Sequence, residues 1–213
     1  MGVRTKICGV STVAAVKAAL DGGAGWLGFM FFARSPRDIQ PDAAWRLARD
    51  VRGKAKVVAV LVDPDDAEVD RIAESLQPDL IQLHGAETPA RARAIGARAG
   101  TGIIKALPVS ESADLAAAAQ YESVVDHLMF DAKPPKGADR SGGLGGAFDW
   151  TLLAGRRFER PWFLAGGLDP WNLAEAAKAS GAPLLDVSSG VERGPGLKDP
   201  ALIRAFLDAA KNV

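Results

Sequence analysis

The hydrophobic residues of this chain fall into eight short runs separated by longer, more polar segments. Hydrophobicity within each run is nearly continuous and does not alternate, which is typical of strands covered on both faces, as in a parallel sheet. The pattern predicts strands over residues 5–8, 26–32, 57–62, 80–83, 102–107, 127–130, 162–165 and 184–187.

The Ala-rich segments between the runs have the spacing of amphipathic helices. They predict helices over residues 12–21, 41–51, 65–76, 88–99, 112–121, 171–179 and 200–210, with a weaker sixth helix over 148–153. Helix-start signals stand at Ser11, Asp42 behind Pro41, Asp65, Thr88-Pro89 and Asp199-Pro200. Eight strand–helix units with right-handed crossovers predict a single-domain (β/α)8 TIM barrel over residues 1–213.

An open doubly wound sheet is the competing fold. It usually carries GxGxxG after its first strand, and Cys8-Gly9-Val10-Ser11 offers no such sequence. The strand–helix spacing therefore favours the barrel. No stretch resembles a linker, and the one long irregular region, residues 132–147, contains five glycines. A loop of this length in a compact domain is more often functional than accidental.

The composition argues against several classes of protein, including nucleic-acid-binding, membrane and secreted proteins. Lys plus Arg and Asp plus Glu number 26 each among 213 residues, without the basic excess of a nucleic-acid-binding protein. No apolar segment is long enough to predict a membrane span, and the first residues lack a signal-peptide pattern. A single cysteine and no Cys/His cluster predict neither a disulfide nor a structural metal. We expect a cytoplasmic protein.

The active site of a (β/α)8 barrel lies where the strands end, so strand-end polar residues become candidates. Cys8 ends the first run, just before Gly9. Most free cysteines are small buried hydrophobes, but this position favours chemistry. A thiol with a lowered pKa can act as nucleophile or general base. A nucleophile needs a histidine partner, and His127 begins its strand at the wrong end, so we predict a general base.

Asp131 follows the apolar run 127–130, whereas Asp126 precedes it and belongs to the opposite end of the barrel. Desolvation favours the protonated form of a carboxyl, so an acid at this place can donate a proton near neutral pH. The alternative is an aspartate that anchors a loop. Cys8 and Asp131 are expected to face each other across the barrel mouth, removing a proton from carbon and delivering one to oxygen.

Two glycine- and serine-containing loops follow the last two strands. Such loops frequently bind phosphate through backbone N–H groups, and glycine permits close approach and positive φ. The predicted phosphate-binding residues are Gly166, Gly167, Ser188, Ser189 and Gly190.

Five other residues are candidate substrate contacts. Arg37, in Ser35-Pro36-Arg37, can clamp a carboxylate bidentately, although most arginines are surface cations. His84 contacts either ligand or a structural partner, and Asp186 either substrate hydroxyls or the phosphate loop. Gly142-Gly143 can close over a bound ligand.

Taken in order, these motifs resemble the phosphoribosylanthranilate isomerase family of tryptophan biosynthesis over essentially the whole chain. They are Lys6-Ile7-Cys8-Gly9, Gly28-Phe29, Ser35-Pro36-Arg37, Gln82-Leu83-His84-Gly85, Asp131, Gly142-Gly143, Phe148-Asp149-Trp150, Ala165-Gly166-Gly167-Leu168, Asn172, Asp186-Val187-Ser188-Ser189-Gly190-Val191-Glu192 and Pro195-Gly196-Leu197-Lys198-Asp199.

The resemblance implies a cofactor-free Amadori rearrangement. N-(5-phosphoribosyl)anthranilate would become 1-(2-carboxyphenylamino)-1-deoxyribulose 5-phosphate, a phosphosugar reaction without metal. The residue matching Asp131 protonates the furanose ring oxygen, and that matching Cys8 takes the proton from C2 to give an enolamine. Arg37 matches the residue for the anthranilate carboxylate. Such barrels are monomers or homodimers.

Two positions depart from the family pattern: Leu144 replaces a usual Ser or Thr of the glycine loop, and Asp63 replaces a common Asn. Two other functions remain open. One is another phosphosugar barrel, such as the aminoaldose isomerase of histidine biosynthesis or indole-glycerol-phosphate synthase, which use aspartates or a Lys/Glu set where this chain has Cys8 and Asp131. The other is a non-catalytic phosphate sensor, which has no use for that pair.

Overall fold

The eight predicted strands form a closed, parallel barrel in sequence order. The computed structural model describes residues 2–133 and 147–213. The strands are β1 (Arg4–Cys8), β2 (Trp26–Phe31), β3 (Lys56–Leu61), β4 (Leu80–Leu83), β5 (Gly102–Val109), β6 (His127–Ala132), β7 (Trp162–Leu164) and β8 (Leu184–Val187). Parallel pairing of β1 with β8 closes the barrel. The predicted (β/α)8 TIM barrel is confirmed.

Among the described residues, seven α-helices follow or connect the barrel strands. They are α1 (Val13–Gly22), α2 (Pro41–Val51), α3 (Asp66–Leu76), α4 (Pro89–Ala99), α5 (Ala118–Tyr121), α6 (Leu173–Ser180) and α7 (Pro200–Ala210). Within residues 2–133 and 147–213, no helix is long and apolar enough to cross a membrane.

The fifth and sixth helical segments differ from the prediction. Residues 112–121 form a 3₁₀ helix, Ser112–Ala117, followed by the single turn α5. Asp114 accepts hydrogen bonds from the backbone N–H groups of Ser110 and Glu111, and this local capping favours the tight 3₁₀ start. The weak sixth helix is only a 3₁₀ helix, Trp150–Leu153.

Three of the predicted helix starts are capped by the expected side chains, those of Asp65, Thr88 and Asp199. The expectation for Ser11 is wrong by one residue, because Thr12 accepts the hydrogen bond from the Ala15 N–H. In α2, Gln40 is the N-cap and Pro41 the first helical residue, so Asp42 lies in the first turn. A carboxylate in the first turn is stabilised by the positive end of the helix dipole.

Side chains of successive strand residues alternate between the two faces of the barrel wall. One apolar cluster, which includes Ile7, Leu27 and Phe130, packs between the strands and the helices. A second cluster fills the barrel interior and contains Cys8, Val58, Val60, Ile104, Met129 and Phe163. The alternation therefore places Lys6 and Cys8 on the inner face of β1.

A small antiparallel hairpin was not predicted. It consists of β9 (Glu192–Gly194) and β10 (Leu197–Lys198), and it follows β8 through the 3₁₀ helix Ser189–Val191. The hairpin brings two charged residues, Glu192 and Lys198, to the end of the barrel where β8 ends.

Candidate active site

The predicted base, Cys8, is the last residue of β1 and is 5% exposed. Its neighbour across the sheet is Gly28 in β2. A Cβ atom on Gly28 would lie 3.0 Å from the Cys8 Sγ and 3.2 Å from the Lys6 Nζ. Because Gly28 has no side chain, the thiol and the Lys6 ammonium share the space above it.

The electrostatic surroundings of Cys8 differ from the prediction. Burial raises the pKa of the Cys8 thiol, and the ammonium groups of Lys6 and Lys198 oppose that rise while the Asp186 carboxylate adds to it. The expectation of a lowered pKa is wrong because removal of the thiolate from water outweighs the neighbouring cations. Cys8 keeps the predicted position but is mostly a thiol at neutral pH.

A buried ion pair lies beside this thiol. The Nζ of Lys6 donates to the Oδ1 of Asp186 over 2.7 Å, and Lys6 is 0% exposed. Sequence reasoning missed Lys6, although an inward lysine two residues before an inward cysteine is visible in the β1 alternation. One oxygen of Asp186 is engaged by this pair, so its predicted contact with substrate hydroxyls would use the other oxygen.

The predicted acid, Asp131, is the fifth residue of β6 and is 7% exposed. Both of its carboxylate oxygens have partners. Oδ1 accepts from the Ala132 N–H over 2.9 Å, and Oδ2 lies 3.1 Å from the Nε2 of His84. Of the two roles predicted for His84, the structure shows a structural hydrogen bond, and its partner is the candidate acid.

Gln82, a residue that sequence reasoning missed, sets the proton position on His84. Its amide nitrogen donates to the Nδ1 of His84 over 3.1 Å and contacts the sulfur of Met129 at 3.4 Å. Nδ1 therefore accepts, and the ring proton lies on Nε2, pointing at Asp131. The other amide atom, the Gln82 Oε1, is buried without a hydrogen-bond partner.

Arg37 lies at the barrel mouth but is not a surface cation. It is 5% exposed, and its guanidinium forms a bidentate pair with Glu192 through Nε at 2.7 Å and an Nη at 2.9 Å. One edge of the guanidinium is thus occupied by a carboxylate of the chain itself. Bidentate capture of a substrate carboxylate through this Nε edge would therefore compete with Glu192.

Lys198 joins the same cluster from β10. Its Nζ donates to the Glu192 Oε1 over 2.6 Å and to the Ser188 carbonyl over 2.8 Å. Burial lowers the pKa of Lys198 to about 8, against the opposing effect of Glu192. The hydroxyl of Ser188 in turn donates to the Cys8 carbonyl over 3.2 Å. The cluster Arg37–Glu192–Lys198 therefore links the loops after β2 and β8 to the end of β1.

Removing the carboxylate from this cluster has a predictable cost. In Glu192→Leu, the buried cations of Arg37 and Lys198 would both lose the carboxylate that they share, and we expect a loss of about 3–5 kcal/mol in the free energy of unfolding. The matched control is Glu74→Leu at an exposed position of α3, where the change should stay within about 0.5 kcal/mol. Urea denaturation measures both, and equal losses would contradict the role of Glu192.

The predicted phosphate loops pack tightly against each other. Gly166 and Gly167 have φ of 85° and 70°, in the left-handed region that favours glycine. A Cβ on Gly190 would collide with the Leu168 carbonyl, so only glycine allows the two loops to meet. Ser188 and Ser189 lie at the start of the same turn after β8. The predictions for Gly142 and Gly143, and the departure at Leu144, lie outside the described residues.

The second departure, Asp63, has a structural account. Its φ is 47°, a conformation that Asn and Asp tolerate better than most residues, and its carboxylate accepts the Ala86 N–H over 2.7 Å. The Asp63 N–H donates to Glu87, which pairs with buried Lys105 at 2.7 Å. Asp63 thus ties the loop after β3 to the loop after β4, which carries His84.

Comparisons with known proteins agree on one family. The family model for N-(5'phosphoribosyl)anthranilate (PRA) isomerase matches residues 5–209. The N-(5'-phosphoribosyl)anthranilate isomerase of Caulobacter sp. (strain K31) is 62% identical over 212 residues, covering 99% of this chain and 100% of that protein. The enzyme of that name from Caulobacter vibrioides is 64% identical over 207 residues, covering 97% and 94%.

Solved structures give the same result. The phosphoribosyl anthranilate isomerase of Thermotoga maritima is similar with a TM-score of 0.87 at 34% identity, covering 99% of this chain and 100% of that one. A phosphoribosyl anthranilate isomerase in complex with reduced 1-(o-carboxyphenylamino)-1-deoxyribulose 5-phosphate has a TM-score of 0.85 at 32% identity, with the same coverage.

Proposed function

This chain belongs to the N-(5'-phosphoribosyl)anthranilate isomerase family, and we propose that it isomerises N-(5-phosphoribosyl)anthranilate in tryptophan biosynthesis with Asp131 as acid and Cys8 as base. The family membership makes it an isomerase. The assignment of roles rests on one observation. Cys8 and Asp131 lie on the inner face of the barrel, at the carboxyl ends of β1 and β6, where the active sites of such barrels lie.

The first step opens the furanose ring. Asp131 donates a proton to the ring oxygen as the C1–O bond breaks, and the lone pair of the anthranilate nitrogen forms the C1=N bond of a protonated Schiff base. His84 and the Ala132 N–H hold the carboxyl group of Asp131 by its two oxygens. A carboxyl fixed in this way approaches the ring oxygen with little rotational freedom left to lose, which favours the transfer.

The second step is proton abstraction from carbon. The Cys8 thiolate takes the proton from C2, the electrons of the C–H bond form the C1=C2 bond, and the C1=N electrons return to nitrogen. The enolamine then takes up a proton at C1 and loses the hydroxyl proton at C2 to give the ketone. No electron leaves the substrate in this sequence, so two proton-transfer groups suffice.

The two anionic ends of the substrate match two regions of the mouth. The cluster Arg37–Glu192–Lys198 brings two cations to the mouth, and we assign the anthranilate carboxylate to this region. The loops at Gly166-Gly167 and Ser188-Ser189-Gly190 suit the phosphate, because their glycines allow close backbone approach. We assign the ribose hydroxyls to Asp186, one oxygen of which is engaged by Lys6.

The test is direct conversion of N-(5-phosphoribosyl)anthranilate, followed by the loss of its fluorescence. We expect turnover by the purified chain and none by the double variant Cys8→Ser/Asp131→Asn. The aminoaldose substrate of histidine biosynthesis serves as the comparison, and we expect it to react more slowly. Binding of phosphosugar without turnover would instead favour a sensor, and faster turnover of the aminoaldose would favour the other isomerase.

Two further expectations accompany the proposed activity. Both steps are proton transfers and require no cofactor, so we expect the phosphosugar substrate to be the sole small-molecule partner. The oligomeric state is a monomer or a homodimer, and the name of one similar structure, from Thermotoga maritima, describes monomers of a dimeric isomerase. A cytoplasmic location fits the pathway and stays a prediction.

A further inference from the structure

Lys6 is a buried cation that the two proton transfers above do not use. It lies on the inner face of β1, two residues before Cys8, and no part of it is exposed. Burying an ammonium group is unfavourable unless something nearby compensates for the lost hydration. The position of its Nζ therefore calls for an explanation beyond packing.

Two features bring Lys6 to the thiol. Gly28, the cross-strand neighbour of Cys8, leaves room above its Cα, and a Cβ there would lie within 3.2 Å of both the Cys8 Sγ and the Lys6 Nζ. Asp186 fixes the ammonium from the other side at 2.7 Å. An ammonium has three N–H donors, and the Asp186 Oδ1 accepts one of them, so another is placed to serve the sulfur.

We propose that Lys6, held by Asp186, is the counter-charge of the Cys8 thiolate and thus a positioning residue for the base of the isomerisation. The inference rests on the proposed role of Cys8 and deepens it. Lys6 acts through the sulfur and not on the substrate.

The need for a counter-charge follows from the walls of the site. Cys8 shares the barrel interior with Val58, Val60, Met129 and Phe163, which offer a thiolate no hydrogen bonds. Burial raises the pKa of Cys8, and the charge of Lys6 is the largest of the opposing effects. Because a base works best when its pKa lies near the working pH, a cation that pulls the pKa back raises the rate.

Asp186 explains why a lone lysine would not do as well. The reaction passes through a protonated Schiff base, which is positively charged, and an unpaired ammonium below it would repel that charge. The pair Lys6–Asp186 adds no net charge to the mouth, yet its positive end lies nearer the sulfur. Within the part of the chain that the structure describes, the charged groups that act on Cys8 are Lys6 on β1, Asp186 on β8 and Lys198 on β10.

The ultraviolet absorbance of the thiolate tests the proposal, because Cys8 is the only cysteine of the chain. The absorbance of the full chain is titrated against pH, and the curve of Cys8→Ser is subtracted as the blank. The subtraction also removes the signal of Tyr121, so the remaining midpoint is that of Cys8. We expect Lys6→Met to move this midpoint up by about one to three pH units, and Asp186→Asn to move it down. Opposite signs distinguish a counter-charge from a merely structural pair.

Loss of folding is controlled with a second set of variants. Lys6→Met/Asp186→Leu removes both charges, a replacement that is often neutral for stability, and it should still raise the midpoint. Lys6→Arg keeps the charge and should leave the midpoint near that of the unsubstituted chain. The rate of alkylation by iodoacetamide at fixed pH gives the same ranking without extreme pH, with Lys6→Met slower by about tenfold or more.

An unchanged midpoint in both Lys6→Met and the double variant, or shifts of the same sign in Lys6→Met and Asp186→Asn, would overturn the inference. The titration needs no substrate, so this result is independent of the isomerase assay. Absence of turnover in the unsubstituted chain would overturn the proposed function while leaving the titration interpretable.

Discussion

Asp131→Asn is expected to lower kcat by about 10²- to 10⁴-fold, the usual contribution of a general acid, while KM changes by less than about threefold. The amide cannot deliver a proton to the ring oxygen, so ring opening stops. The phosphate loops and the cluster Arg37–Glu192–Lys198 are untouched, so ground-state binding persists.

The structure also indicates that Asp131→Asn folds normally. The amide oxygen of the new side chain can take the place of Oδ2 and accept from the Nε2–H of His84, so the contact that is lost is the one between Oδ1 and the Ala132 N–H. The loss of one such hydrogen bond costs about 1 kcal/mol in the free energy of unfolding. The loss of rate should therefore appear without a comparable loss of stability.

Asp126→Asn is the matched control. Asp126 precedes β6 at the opposite end of the barrel, where its carboxylate accepts the Ile103 N–H over 2.7 Å. We expect near-normal kcat and a loss of about 1 kcal/mol in unfolding free energy. Steady-state kinetics by fluorescence and urea denaturation separate the two variants, and equal effects on kcat would refute the assignment of the acid.

Cys8→Ser is expected to lower kcat by a similar factor, about 10²- to 10⁴-fold, with little change in KM. A serine hydroxyl fills nearly the same space but does not ionise in the working range, so the C2 proton has no acceptor. Near-normal turnover in this variant would eliminate Cys8 as the base.

The raised pKa of Cys8 adds a pH signature with a definite sign. Only the thiolate reacts with iodoacetamide, and below the pKa its population grows about tenfold for each pH unit. Inactivation should therefore accelerate steadily from about pH 6 to about pH 8 without levelling off. A plateau near neutral pH would show that the thiol ionises more easily than its burial implies, and Cys8→Ser provides the unreactive control.

Local sequence patterns were sufficient for most of the barrel. Residues 80–83 and 184–187 were predicted with the observed bounds of β4 and β8, because turn residues flank these buried runs. The segment 112–121 was harder. Its alanines favour an α-helix, but the hydrogen bonds that Asp114 accepts start a 3₁₀ helix instead. The spacing of hydrophobic residues does not reveal this local competition.

The candidate site was predictable where it depends on strand ends and not where it depends on distant partners. Position alone favours a chemical role for Cys8 over a packing role, and favours Asp131 over Asp126 as the acid. The pairing of Arg37 with Glu192 joins residues 155 positions apart. Glu192 lies in the hairpin β9–β10, which the hydrophobic pattern did not predict. The alternation of β1 did contain the signal for Lys6, because a lysine on the same face as Cys8 points into the barrel and must find a partner there.

The salt-bridged cluster of Arg37, Glu192 and Lys198 constrains how such an enzyme can acquire a new substrate. One member comes from the loop after β2 and two from the hairpin β9–β10, and both cations pair with the same carboxylate. An enzyme that changes toward an aminosugar substrate without a carboxylate gains nothing by losing Arg37 alone. Glu192 would then lose the two hydrogen bonds that Arg37 donates and would keep Lys198 as its cation. The three residues of the cluster should therefore change together when the substrate specificity changes. Laboratory evolution should reach a new specificity by randomising the three codons jointly.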